Sequence, residues 1–315
     1  MPRPMNSAQA QVIDPILSTV ARGYTNTALI SYALFPLVTI PNRSMKVIRF
    51  GKDAFRLYTN TRRAPGAPVM RVQFGYESDP VALKQEALEG LVPFEFAQDA
   101  ERVPGIDLGK QAIESVQNII ALGREMKTAT LARDPASYAA SNKVMLTGTS
   151  RWSDPASDPG KDIREARNAI RLRIGRDPNT LVLGPKVFEA LSEHPKIKEQ
   201  FKYTSSESLT EVMLAKYFNL EKIVVGKAVA LPDNASDDDP AVDVWGDDAI
   251  LAYVPSGSNL LVPAYGYTYT LEGFPAVEEP YYERHIKSWV YPVTEEYSPY
   301  MVGAEAGFLF QKAAE

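Results

Sequence analysis

The stretch NAIRLRIGRDPNTLVLGPKVFEALSEHPKIKEQFKY (Asn168–Tyr203) changes its hydrophobic period within a short span. Ile163, Ala166, Ile170 and Ile174 recur at helical spacing, so Asp162–Ile174 reads as a helix with one apolar face. Thr180–Leu183 is then a compact apolar run that reads as a strand, and Pro185 opens another helix from its first turn. Working downstream, the pattern predicts a helix over Leu209–Phe218 and a strand over Ile223–Val225. Strands follow at Ala249–Val254, Tyr265–Leu271, Tyr281–Val290 and Phe308–Phe310. Helices and strands alternate as in a compact α/β unit. Upstream, the turn-rich linker SRWSDPASDPG (Ser150–Gly160) marks its boundary.

Further upstream, Asp107 reads as the N-cap of the longest helix, which stops before Asp134-Pro135. The expected buried face is Ala112, Ile113, Val116, Ile119, Ile120, Met126 and Leu131, with Gly123 on the same stripe. Residues 81–103 read as extended chain anchored by Leu91, Phe94 and Phe96. Before them, YTNTRRAPGAPVMRVQFGY (Tyr58–Tyr76) lies in a ribbon of two expected strands, Phe55–Thr59 and Val69–Phe74. Its tip of two arginines, two prolines and a glycine is far longer than the usual hairpin turn. Residues 1–41, punctuated by Gly23, Pro36 and Pro41, hold the apolar pieces Val12–Val20 and Ala28–Phe35 and read as an arm laid on another surface.

Composition narrows the function. With 315 residues, 45% hydrophobic and 23% charged, the chain suits one or two core-bearing domains. A net charge of −5 argues against a dedicated nucleic-acid binder. No cysteine is present, which removes disulfide and thiolate chemistry. The N-terminus lacks a signal-peptide core, and Ala28–Ile40 is too short to span a bilayer, so a cytosolic protein without membrane contact is expected. His194 and His285 lack ligand-like spacing. Gly226-Lys227 lacks the rest of a phosphate loop, and Pro185 removes an amide that anion binding at Gly184-Pro185-Lys186 would use. There is no Gly-x-Ser-x-Gly elbow. The acidic run Asp233–Pro240 lacks the glycine and terminal glutamate of a calcium loop and reads as a solvated loop. Tyr265, Tyr267 and Tyr269 alternate, which reads as one packed face and one interface rather than a base-stacking platform. The expectation is no catalytic residue, no metal and no cofactor.

Charge is the informative feature. Arg43, Lys46, Arg49, Lys52, Arg56, Arg62, Arg63 and Arg71 are opposed only by Asp53 between Arg43 and Gly75. From Ala228 to Glu283 there is no lysine or arginine, yet eleven acids occur, among them Asp233, Asp243, Asp248, Glu272, Glu278, Glu279 and Glu283. Opposite charge on widely separated segments suits a chain that binds copies of itself.

The ordered set of arm, basic two-stranded excursion, long helix and compact α/β unit resembles tailed-bacteriophage major capsid proteins with the Hong-Kong-ninety-seven-type capsid fold. The likeness is closest in Asn168–Tyr203, followed by LAKYFNLEKIVVGKAV and DVWGDDAILAYVP. It implies an α+β fold in four parts: an N-terminal arm (1–41), an extended loop (42–80), a peripheral domain (81–157 and 272–296) and an axial domain (158–271 and 297–315). Asp107–Arg133 would be the spine helix of the peripheral domain, and Phe274–Val293 its return strand. The loop would lie across a neighbouring subunit, which explains a ribbon without a core of its own. Arg43, Lys46, Arg49, Arg56, Arg62, Arg63 and Arg71 would then make inter-subunit contacts with an acidic surface of Glu272, Glu278, Glu279 and Glu283. The implied function is a self-assembling structural head protein in the virion, made in the host bacterial cytoplasm. Its pentamers and hexamers would enclose genomic DNA without reading its sequence.

About forty residues before the loop are too few for a fused scaffold, so a separate scaffolding protein is expected, and the resemblance adds a portal and a decoration protein as partners. The tip carries no lysine, so the isopeptide cross-link of some relatives is not expected from it. The alternatives are an encapsulin-type nanocompartment shell, which shares the fold, and an unrecognised hydrolase.

Overall fold

The computed structural model describes residues 14, 17–19, 21, 26, 28–49, 57, 61–63, 65–66, 69, 71, 77–101, 107–202, 209–236, 238–257 and 263–314. Two sheets dominate them. In the five-stranded sheet the order is Lys143–Met145, Gly307–Gln311, Ala249–Ala252, Thr180–Leu183 and Lys222–Val225. All four residues of Thr180–Leu183 are buried, which is why that run is apolar throughout rather than alternating. Leu181, Leu251 and Phe308 are in register and pack with the helix Pro159–Ile174 on one face. Val182, Ile250 and Leu309 face the other way, towards Trp245, Phe35 and Ala132 of the long helix. The helix Pro159–Ile174 is capped at both ends: Asp158 accepts the Lys161 N–H, and Gly175 takes the left-handed conformation at φ 69°.

In the six-stranded sheet, the fourteen-residue strand Ser288–Met301 is central. Lys84–Pro93 pairs along one of its edges from Ser288 to Tyr297. Gly266–Leu271, Ala276–Val277 and Tyr281–Glu283 share the other edge, and Leu37–Ile40 adds a parallel strand beyond Gly266–Leu271. The long helix Leu108–Arg133 begins at Asp107, whose side chain accepts the Lys110 N–H at 2.9 Å, and lies on this sheet. Gly90 lets the sheet approach, since a Cβ there would stand 3.0 Å from the Ala112 Cβ.

Several expectations need correction. Ile113, Val116 and Ile120 are buried, but Ile119 and Met126 face solvent, and a Cβ at Gly123 would meet nothing within 4 Å. Gln117, Arg124, Glu125 and Thr128 are buried instead, which polarity hid from the apolar pattern. Phe94–Glu101 is a helix, not extended chain, and Leu91, Phe94 and Phe96 are exposed rather than anchoring. Tyr281–Val290 is two strands joined by a turn over 284–287, where Lys287 takes φ 46° without a glycine to mark it. Tyr265, Tyr267 and Tyr269 are all buried, as are the alternate residues Gly266, Thr268 and Thr270, so this strand offers neither face to a partner.

The described part of the arm belongs to its own subunit. Asp14 N–H donates to the Val277 carbonyl at 3.0 Å, and Ala21 packs with Ile113, Val116 and Ile120. Leu34 and Phe35 are fully buried, and Leu37–Ile40 is a sheet strand.

Candidate inter-subunit surfaces

The basic ribbon starts from a base that its own subunit holds. Ser44–Arg49 pairs antiparallel with Glu77–Ala82. Val47 and Val81 are buried against Val38, Ile40, Tyr267, Tyr269 and Val302. Tyr300 Oη donates to Asp79 Oδ2 at 2.9 Å beside them. The expectation of a ribbon without a core therefore fails at its base, where alternate residues of Met45–Val47 face inward.

Beyond the base the picture reverses. The described residues Arg62, Arg63 and Arg71 are exposed, with Leu57 85% and Val69 67% exposed. Leu57, Val69 and Arg71 take no regular structure, and the rest of the expected strands Phe55–Thr59 and Val69–Phe74 lies outside the described residues. Arg56 and Lys52 lie outside them too, as does the side chain of Arg49. Lys46 is exposed on the base. Arg43 differs: its Nε and Nη2 both donate, at 2.8 Å each, to the two carboxylate oxygens of buried Glu296. That fork-to-fork pair gives Arg43 a partner within its own subunit while 71% of its side chain stays exposed.

The acidic surface is gathered along one edge of the six-stranded sheet. Glu278 and Glu279 follow the strand Ala276–Val277, and Glu283 closes Tyr281–Glu283. Glu279 and Glu272 are exposed, while Glu278 and Glu283 are half-buried. Glu272 donates its N–H to the Ile40 carbonyl at 2.9 Å, which sets it next to the root of the ribbon. The other acidic segment is partly consumed internally. Asp248 accepts from Arg133 Nε at 2.6 Å and from the Lys312 N–H at 2.9 Å, and Asp247 lies 3.5 Å from Lys186 Nζ.

A buried polar node that the sequence pattern did not reveal joins the two sheets. Glu125, fully buried on the long helix, accepts the Ile30 N–H at 3.0 Å, the Ser31 N–H at 2.7 Å and the Trp245 indole N–H at 2.7 Å. Its neighbour Arg124 turns to the other side, where Nη1 donates to Glu295 Oε1 at 2.6 Å and the guanidinium lies 4.6 Å from the Tyr32 ring centre. Burial raises the Glu295 carboxyl above its ordinary range, and the Arg124 charge only partly opposes this. The Tyr138 hydroxyl donates to the Ala132 carbonyl at 2.6 Å and is bonded to the Tyr265 hydroxyl; burial pushes both phenols up.

Among the described residues, no three His, Asp or Glu side chains are grouped to hold a metal ion. His194 is buried in a structural role: Nδ1 accepts the Lys196 N–H at 3.3 Å at a helix start, and Nε2 faces Ser157 Oγ at 3.1 Å. No described helix is long and apolar enough to cross a membrane.

Residues 106–287 match the family model described as "Phage major capsid protein E". The chain is 34% identical over 308 residues to the major capsid protein of Burkholderia phage BcepMu, covering 96% of this chain and 97% of that one. Its structure is similar to the crystal structure of a phage-related protein from Bordetella bronchiseptica, with TM-score 0.83, 44% identity and coverage of 97% and 99%. The mature capsid of bacteriophage PhiM1 matches at TM-score 0.53 and 14% identity, over 92% of this chain and 88% of that one, a likeness of fold alone.

Proposed function

Because the chain belongs to the phage major capsid protein E family, we propose that its subunits join through the basic ribbon of one copy and the acidic sheet edge of the next. It is a structural protein of the phage head with the Hong-Kong-ninety-seven-type capsid fold, and copies of it form the shell of the virion. In the finer reading the five-stranded sheet forms the axial domain and the six-stranded sheet with the long helix the peripheral domain, which moves Lys143–Met145 to the axial side of the expected bounds and Gly266–Leu271 and the end of Ser288–Met301 to the peripheral side. The shell is built of pentamers and hexamers and encloses genomic DNA through its volume rather than by reading bases. A separate scaffolding protein, a portal and a decoration protein complete the partner set.

The observation that supports this reading is the exposure of Leu57 and Val69 beside Arg62, Arg63 and Arg71. Large apolar side chains that a subunit leaves in water mark a surface covered by something else. A neighbouring copy supplies both an apolar face and, at Glu272, Glu278, Glu279 and Glu283, opposite charge.

Particle sizing of the chain co-expressed with its phage's scaffolding gene tests it. Closed shells are expected, with assembly falling as salt rises through the screening range. Monodisperse monomers under every assembly condition would overturn it.

A further inference from the structure

Between two strands of the five-stranded sheet, Lys222–Val225 and Ala249–Ala252, the chain makes a short two-stranded excursion. Its root is anchored: Ala228 and Val244 are buried in one core with Trp245, and the Val244 N–H donates to the Ala228 carbonyl at 3.0 Å. Two register pairs follow, Val229 with Asp243 and Ala230 with Val242. From Leu231 to Val242 every described residue is exposed except half-buried Ala235. Local bonds tie the tip. Ala235 N–H donates to the Pro232 carbonyl at 2.9 Å, Asp239 N–H to the Ser236 carbonyl at 3.0 Å, and Ser236 N–H to Asp239 Oδ2 at 2.8 Å.

This hairpin carries apolar side chains out into water. Alternation sets Val229 and Leu231 on the face turned away from Ala228 and Ala230, and they are 52% and 43% exposed. Val242, across from Ala230, is 62% exposed. A two-stranded hairpin is marginal by itself, and large apolar side chains left in water mark a surface that something else covers. The charge on it has one sign. Five aspartates and no lysine, arginine or histidine lie between Ala228 and Val244. Asp233, Asp238 and Asp239 are exposed at the tip, and Asp243 is half-buried opposite Val229. Arg133, which reaches the root at the Val244 carbonyl, is already paired with Asp248 at 2.6 Å.

We propose that this hairpin is a docking surface for a second protein of the particle, one that presents a basic segment with apolar side chains. The apolar residues mark the surface, and the charge selects the occupant. Nucleic acid is repelled, because its phosphates carry the same sign as the tip. The same hairpin of another copy is repelled as well, and the chain's own basic ribbon is assigned above to Glu272, Glu278, Glu279 and Glu283. A shell repeats the hairpin in every copy, so a partner that bridges several gains by multivalency what a single small contact lacks. The inference rests on the shell reading in one respect only, that the chain is part of a particle.

A photo-cross-linking amino acid at position 231, in the chain made during phage infection, reads the occupant directly. Irradiated particles should yield an adduct with a lysine- or arginine-rich segment of another phage protein, identified by mass spectrometry of the joined peptides. Raising the salt before irradiation should lower the yield. Asp233→Lys with Asp238→Lys and Asp239→Lys should abolish the adduct while leaving the subunit's urea unfolding midpoint unchanged, since all three side chains are exposed. Val229→Ser should lower the yield several-fold. The same probe at Val212, exposed on the helix Glu211–Phe218, should give no such adduct.

An adduct that joins position 231 to another copy of this chain overturns the proposal and leaves the shell reading intact. No adduct at all, or one that survives the triple reversal at full yield, overturns it too. Failure of the shell reading is told apart in the same lysate: a chain absent from shell-sized particles fails there and takes the inference with it.

Discussion

The Trp245 indole N–H donates to Glu125 Oε1 at 2.7 Å, and through it the loop beside the five-stranded sheet is tied to the long helix of the six-stranded one. The same carboxylate accepts the Ile30 and Ser31 amides, so the end of the arm is held at the same point. A buried acid with three donors specifies one relative placement of three segments that apolar packing alone would allow to slide.

Removing that acceptor strands three buried donors. Glu125→Ala should cost about 3 kcal/mol or more in subunit stability by urea unfolding. Glu125→Gln should cost less, because its carbonyl oxygen still serves the Trp245 and Ile30 donors. Equal costs for the two variants would show that the side chain's volume, not its acceptors, matters.

The two backbones meet most closely at Gly184, where an added Cβ would stand 1.7 Å from the Gly246 carbonyl oxygen. Neither atom is on a flexible side chain. Gly184→Ala should therefore destabilise by roughly 2–3 kcal/mol or prevent folding. A melting temperature unchanged from wild type would contradict this close approach.

Glu295 gives a pH signature. Burial raises its folded carboxyl above the ordinary value of 4.5, so the folded chain holds the proton more tightly than the unfolded one. Its contribution is then fully present below 4.5 and is lost as pH rises through the raised folded value. The stability of wild type relative to Glu295→Gln should fall across that window in urea titrations at a series of pH values. A relative stability that rises instead would mean that Arg124 outweighs burial.

The ribbon charges should act on assembly and not on folding. Arg62→Glu with Arg63→Glu should impair shell formation while leaving the subunit's unfolding midpoint unchanged, because each exposed pair contributes only about 0–1 kcal/mol but recurs in every subunit. Adding Glu278→Lys and Glu279→Lys should restore part of the yield. Normal assembly of the first variant would assign the contact to shape and backbone pairing.

How much of this was legible depended on whether a residue's partner is near in sequence. The long helix was found from Asp107 and from Asp134-Pro135, which are local cap and stop signals. Thr180–Leu183 and the helix after Pro185 were found because both faces of one and the first turn of the other are written in adjacent residues. Glu125 and Arg124 were missed because a buried charge looks like a surface one until Trp245 and Glu295, far along the chain, are placed beside it. The turn over 284–287 carries no glycine or proline, and the helix Phe94–Glu101 follows Pro93 with two phenylalanines that read as anchors of extended chain. The oppositely charged segments were legible as segments, but Arg43 illustrates the limit: its partner Glu296 could only be found by folding the chain.

The claim that the ribbon leaves its own subunit is tested most directly by amide hydrogen exchange on free subunits and on assembled shells. Exchange should be slow in both states for the paired base, Ser44–Arg49 with Glu77–Ala82, where Val47 and Val81 are buried. The positions Leu57, Arg62, Arg63, Val69 and Arg71 should exchange fast in the subunit and become protected only in the shell. Protection of those positions in the free subunit equal to that in the shell would place the ribbon on its own subunit and contradict the account.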